Sequence, residues 1–142
     1  MRLHFVAAGI EEREGNTAPL RVVSHAITSY ARFVLHNGLA PADEPGRLWA
    51  HQLQLLVTDF IKEAHDTHHP IGSSLYYEEQ KTEALRYSQV FLSVRLPKYL
   101  GYFERVLERN SAGPDFMVGK AASYVDTSMF QIIEGMRYAF PK

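Results

Sequence analysis

Cysteine is absent from the 142-residue sequence. That excludes disulfides, thiolate metal sites and any reaction in which the chain supplies its own nucleophilic thiol. An excess of either charge is missing too: 15 basic residues stand against 16 acidic ones, a formal net charge of -1. The balance argues against binding nucleic acid or a membrane surface by bulk electrostatics. No stretch approaches the roughly 18 consecutive apolar residues of a membrane span. The apolar run near the start is short, and charged Glu11, Glu12, Arg13 and Glu14 follow it where a secretory leader would carry small residues. The expectation is a soluble, cytoplasmic protein. There is no internal repeat and no low-complexity tract. What is present, 46% apolar and 22% charged residues, is the composition of a folded globular chain of about one domain.

From Pro45 onward the apolar residues recur at helical spacing. Trp49, Leu53, Leu56, Val57, Phe60, Ile61 and Ala64 form one continuous face, which predicts a helix running to about His68 with Trp49 in the core. Asp43 or Glu44 can cap it, Pro45 suits a first helical turn, and Pro70 and Gly72 end it. A second helical stretch is predicted after Ser73 and Ser74, with Glu78 and Glu79 at the positive end of its dipole. Its apolar face reads Leu92, Leu96, Tyr99, Leu100, Phe103, Val106 and Leu107. Pro97 interrupts it, removing one donor and crowding the carbonyl four residues back, so a kink or break is expected near 93–96. Asn110, Gly113 and Pro114 mark a loop.

The clearest start signal is Ser123 three residues before Asp126, a capping box in which hydroxyl and carboxylate each accept from the other residue's backbone N–H. Val125, Met129, Ile132, Ile133 and Met136 supply the buried stripe of the third helix. The first 44 residues are less periodic. Residues 2–10 fit a short helix or a strand, residues 20–23 a short strand. Ile27, Tyr30, Ala31, Val34 and Leu35 fit a helix face ended by Asn37 and Gly38.

These features in this order resemble the soluble glutathione transferases. The segments LPKYLGYFERVLERN (96–110) and FMVGKAASYVDTSMFQIIEGMRYAFP (116–141) resemble the family's helical carboxy-terminal domain, with Val118-Gly119 and the Ser123–Asp126 box at its hallmark positions. Residues 36–81 are similar to one bacterial and fungal branch. RLHFVAAGIEERE (2–14) resembles the family's first helix, and residues 20–39 the strand and helix that close its thioredoxin-like domain. The resemblance implies a mainly α protein. A transferase-like helical bundle over 45–142 would follow a remnant of the α/β thioredoxin-like domain over 1–44. As written, the chain holds little more than half of that first domain. The family's first strand, with the Tyr, Ser or Cys that activates glutathione, has no counterpart in it. The segment 1–44 is therefore expected to fold irregularly onto the helices or to swap between subunits.

The resemblance also implies glutathione as co-substrate, a small hydrophobic electrophile and a homodimer. It places the γ-glutamyl contact after the strand at 20–23, and two registers are open. In one Ser24 is the binding serine; in the other His25 and Ala26 take the Gln-Ser positions. It places the end of the first carboxy-domain helix, with His65 and His68, against the electrophile. His65, His68 and His69 have a spacing that can set two imidazoles on one helix face for a metal. The one nearby carboxylate, Asp66, points elsewhere by helix geometry, so no metal is expected. Ser123 and Asp126 are read as a structural cap, not a catalytic pair. Tyr76, Tyr77, Tyr99, Tyr102, Tyr124 and Tyr138 include several read as core or interface residues with a wet hydroxyl. The function expected is conjugation of glutathione to an electrophile if a complete active site forms. The alternative is a transferase-like helical module, or a truncated product, without activity.

Overall fold

Asp43 starts the first helix. Its backbone is extended and its carboxylate accepts from the Gly46 N–H at 2.9 Å, while Pro45 occupies a first-turn position where no donor is lost. The helix, α1, runs Glu44–Asp66 and is closed by Thr67. In the computed structural model, which describes residues 33, 34 and 36–141, the chain divides into two compact units, Met1–Phe33 and Val34–Lys142. The second unit carries all but one of the described residues. It is all helical, with no strand among the described residues. No described helix is long and apolar enough to cross a membrane.

Before α1, Gly38 takes the left-handed conformation (φ 66°) and Leu39 N–H returns to the Val34 carbonyl, the closing bond of a helix C-terminus. The Leu39 carbonyl then accepts from the Tyr124 N–H at 2.8 Å. The segment leading into α1 is thus tied to the start of the last helix, so the helical unit begins upstream of α1 itself. The residues read as the first helix, the strand at 20–23 and most of the helix that follows lie outside the described residues, as do Ser24, His25 and Ala26.

α1 buries Ala50, Leu53, Val57, Phe60 and Ala64. Two residues of the expected face depart from it: Ile61 is 44% exposed and Trp49 37%. Leu53, Val57, Phe60 and Ala64 define the centre of the stripe. At 100° per residue Ile61 and Trp49 fall on its opposite flanks, where packing is partial. Trp49 is therefore an edge residue, not a core one.

After α1 the chain makes a loop, a 3₁₀ turn at Tyr77–Glu79 and helix α2 at Lys81–Val90. The helix expected just after Ser74 thus begins several residues later. Gln80 is the reason: fully buried, it accepts from the Ile71 N–H and donates to the carbonyls of Gly72 and Leu75. The loop is wound around that amide, and its backbone groups are satisfied there instead of in a helical ladder. Glu79 reaches back to the Tyr76 N–H at 2.7 Å.

The break expected from Pro97 is present as a π-helical turn at Phe91–Arg95, with α3 following at Leu96–Glu108. Leu96 N–H bonds the Phe91 carbonyl, five residues back. The wider turn rotates the apolar face relative to a continuous helix. Phe91 becomes fully buried, whereas Leu92 and Leu100, placed on the face by simple periodicity, are 37% and 40% exposed. The last helix, α4, runs Tyr124–Ala139 and packs on α1 with Val125, Met129 and Ile132 inward. Phe60, Phe91 and Phe103 form the aromatic centre of the core. Each contributes on the order of 2–3 kcal/mol by its burial.

Candidate functional site

α1 carries chemistry at both ends and a polar clamp between them. At its C-terminal end the three histidines do not converge. His65 stacks on His69 with ring centroids 5.2 Å apart, and its Nδ1 lies 3.3 Å from Asp66 Oδ1. Asp66, which helix geometry had pointed away, therefore does meet His65. It also accepts from Lys62 Nζ at 2.6 Å. Burial works to raise the Asp66 carboxyl, but hydrogen bonds from Lys62 and His65 outweigh it and the net shift is downward. His69 Nδ1 contacts the Gln80 amide nitrogen at 3.1 Å. His68 turns the other way. Its Nδ1 meets the buried Thr67 hydroxyl at 2.8 Å, and its ring sits 5.9 Å from both Tyr77 and Phe140. Phe140 continues to Phe91 at 6.3 Å, so an aromatic wall joins this end to the core. Among the described residues no group of three His, Cys, Asp or Glu is arranged to hold a metal ion.

One turn back, Glu63 receives a two-pronged donation from Arg95, with Nε at 2.7 Å from Oε2, and a third bond from the Tyr99 hydroxyl at 2.8 Å. The Arg95 guanidinium holds the Glu63 carboxyl below its ordinary range, against the opposing effect of burial. Burial, then donation to Glu63, pushes the Tyr99 phenol up to about 12. Tyr99 therefore stays a donor at neutral pH. It stacks on Phe60 at 4.6 Å, almost parallel, and Arg95 lies over its ring at 5.3 Å. The π turn aims Arg95 at α1, so the clamp locks the bulge onto the first helix.

At the N-terminal end of α1 lies a cavity of about 430 Å³. It is lined by Trp49 of α1, by Tyr102, Arg105, Val106 and Arg109 of and just beyond α3, and by the loop from Asn110 to Gly119. That loop is held on two sides. The Asn110 side-chain amide donates to the carbonyls of Phe116 and Gly119, both at 2.8 Å. Asp126 accepts from the Ser123 N–H and hydroxyl with one oxygen and from the Met117 N–H with the other, each at 2.7 Å. The cap of α4 therefore also fixes Met117, a cavity wall. Gly119 makes the turn with φ 70°, a conformation costly for any residue bearing a Cβ.

Trp49 and His65 are sixteen positions apart, about 24 Å along the helix, and neither His65 nor His68 lines the cavity. Sequence reasoning singled out the histidine end and missed the arginine end. The signal was there: Arg105 and Arg109 share one helix face four residues apart, a spacing at which like charges repel.

The family model described as "Glutathione S-transferase, C-terminal domain" matches residues 65–142. A glutathione S-transferase of Plasmodium yoelii yoelii is 26% identical over 76 residues, which are 54% of this chain and 32% of that protein. The matched region thus spans about a third of that relative's length.

Proposed function

The chain belongs to the glutathione S-transferase family, and on that premise we propose that it acts on glutathione together with a small hydrophobic electrophile. In this reading the glutathione sulfur adds to an electrophilic carbon and the leaving group departs. A donor or positive dipole against the sulfur keeps it as thiolate. The observation that carries the proposal is the end of α1, where His68 lies between Tyr77 and Phe140 and His65 stacks on His69. The helix end that the family resemblance sets against the electrophile thus presents flat, polarisable rings with imidazole edges, a surface suited to aryl halides. His65 and His68 are assigned to that contact. Glutathione itself is assigned to Ser24, or to His25 in the other register. A cytoplasmic homodimer belongs to the same proposal.

The test is retention of the full chain on immobilised glutathione, with turnover of a chloro-dinitrobenzene acceptor. Retention with turnover, weakened about tenfold in His68→Ala through the Michaelis constant, supports the reading. Absence of both retention and turnover in a protein that melts cooperatively refutes it. That outcome would establish the second reading, a non-catalytic helical module. Its supporting observation is that residues 34–142 form a compact unit of their own.

A further inference from the structure

We propose that the cavity at the N-terminal end of α1 binds a planar aromatic phosphomonoester. Its volume, about 430 Å³, lies in the range of small-molecule sites, roughly 300–1,000 Å³. The walls divide by chemistry. Trp49, Val106, Met117 and Val118 give an apolar bed, Tyr102 adds a second ring, and Arg105 with Arg109 supplies positive charge. Among the described residues no carboxylate lines the cavity.

The two guanidinium groups decide the ligand class. They stand one helical turn apart on the same face of the chain, close enough to reach one anion. Among the described residues neither makes a hydrogen bond or an ion pair, in contrast to Arg95 and Arg137, which each hold a glutamate. Two like charges left side by side are unfavourable, and a dianion relieves both at once. A phosphate monoester is such a dianion near neutral pH, and its oxygens match the planar fork of arginine. The rings of Trp49 and Tyr102 select a flat aromatic group beside it.

The cavity is also pre-formed. Asn110 and Asp126 pin the loop that closes it, through Gly119 and Met117, so little ordering is left for the ligand to impose. The site uses no residue of the glutathione contact or of the histidine end, and the inference stands whether or not the protein turns over glutathione. Aryl phosphates and nucleoside monophosphates share this chemistry.

The experiment titrates the full chain by calorimetry with 1-naphthyl phosphate and with adenosine monophosphate. 1-Naphthol and inorganic phosphate serve as the two half-ligands. Trp49 is the sole tryptophan, so its emission reports occupancy directly. At least one of the two phosphomonoesters is expected to bind roughly tenfold or more tightly than either half-ligand, to perturb Trp49 emission and to weaken as salt rises. The tighter of the two identifies the source of the phosphate. Arg105→Gln with Arg109→Gln should lose about tenfold or more, and the paired Lys variants should fall between, since charge is kept and the fork is lost. Circular dichroism melts confirm that the variants fold. The proposal is overturned if neither phosphomonoester exceeds its half-ligands, if the glutamine variants bind as well as the parent, or if saturating glutathione displaces the ligand.

Discussion

The two ends of α1 are built on opposite principles. At the C-terminal end, polar side chains are consumed internally: Gln80 satisfies the loop, Thr67 holds His68, and Asp66 takes Lys62 and His65. At the N-terminal end the polar work is done by backbone-directed groups, Asn110 and Asp126, while the Arg105 and Arg109 guanidinium groups have no partner among the described residues. One end spends its charge on its own fold; the other holds charge in reserve beside a cavity. A residue's proximity to a functional end therefore says less than whether its hydrogen-bonding capacity is already filled.

That contrast can be broken in a graded way. The largest effect is expected from Phe60→Ala, because Phe60 is fully buried at the centre of the shared core, stacked on Tyr99 and packed on Phe91 at 6.2 Å. A loss of about 3–5 kcal/mol in chemical denaturation is expected, with Trp49 emission and histidine-end hydrogen exchange failing together. Gln80→Ala should act on one end alone. It strands buried backbone groups of the 71–75 loop and should cost about 1–3 kcal/mol, raising amide exchange there while Trp49 emission stays unchanged. Asp126→Ala is its counterpart. It removes the cap of α4 and the anchor of Met117 at a cost of about 0.5–2 kcal/mol, and it should change Trp49 emission with the histidine end intact.

The smallest effect is electrostatic and lies between the ends. The Glu63 pKa is depressed by Arg95 in the folded protein, so its stabilisation is present above the unfolded value and lost as pH falls through the folded one. Starting from an ordinary glutamate value of 4.5, stability should decline as pH drops below that point. Glu63→Gln should flatten this acid limb while lowering stability modestly at neutral pH. The Arg95 side chain is 41% exposed, so solvent screening keeps the effect small. An unchanged acid limb in that variant would show the clamp to be electrostatically silent.

Much of the architecture was legible from local signals. Asp43 with Pro45, and Ser123 with Asp126, announce two helix starts because capping depends on neighbours within one turn. Pro97 announces the break before α3 for the same reason. The delayed start of α2 was not legible, since it depends on Gln80 reaching back to groups eight and nine residues away. The burial of Phe91 and the exposure of Leu92 were missed because Pro97 signals a break but not the change of helical phase that the π turn brings, whereas Leu100 lies at the edge of the α3 stripe. Trp49 was misplaced because an amphipathic stripe fixes its centre far better than its edges.

By itself the sequence determined the family resemblance, the helical class, the caps and the order of α1, α3 and α4. All of these rest on interactions within a few residues or on repeated spacing along one face. Only the tertiary structure decided which charges are already partnered, where a cavity opens, and that the second oxygen of Asp126 holds its wall. The physical reason is that hydrogen-bond satisfaction is a property of space: a side chain's partners, and so what it has left to offer a ligand, are set by whatever the fold brings against it.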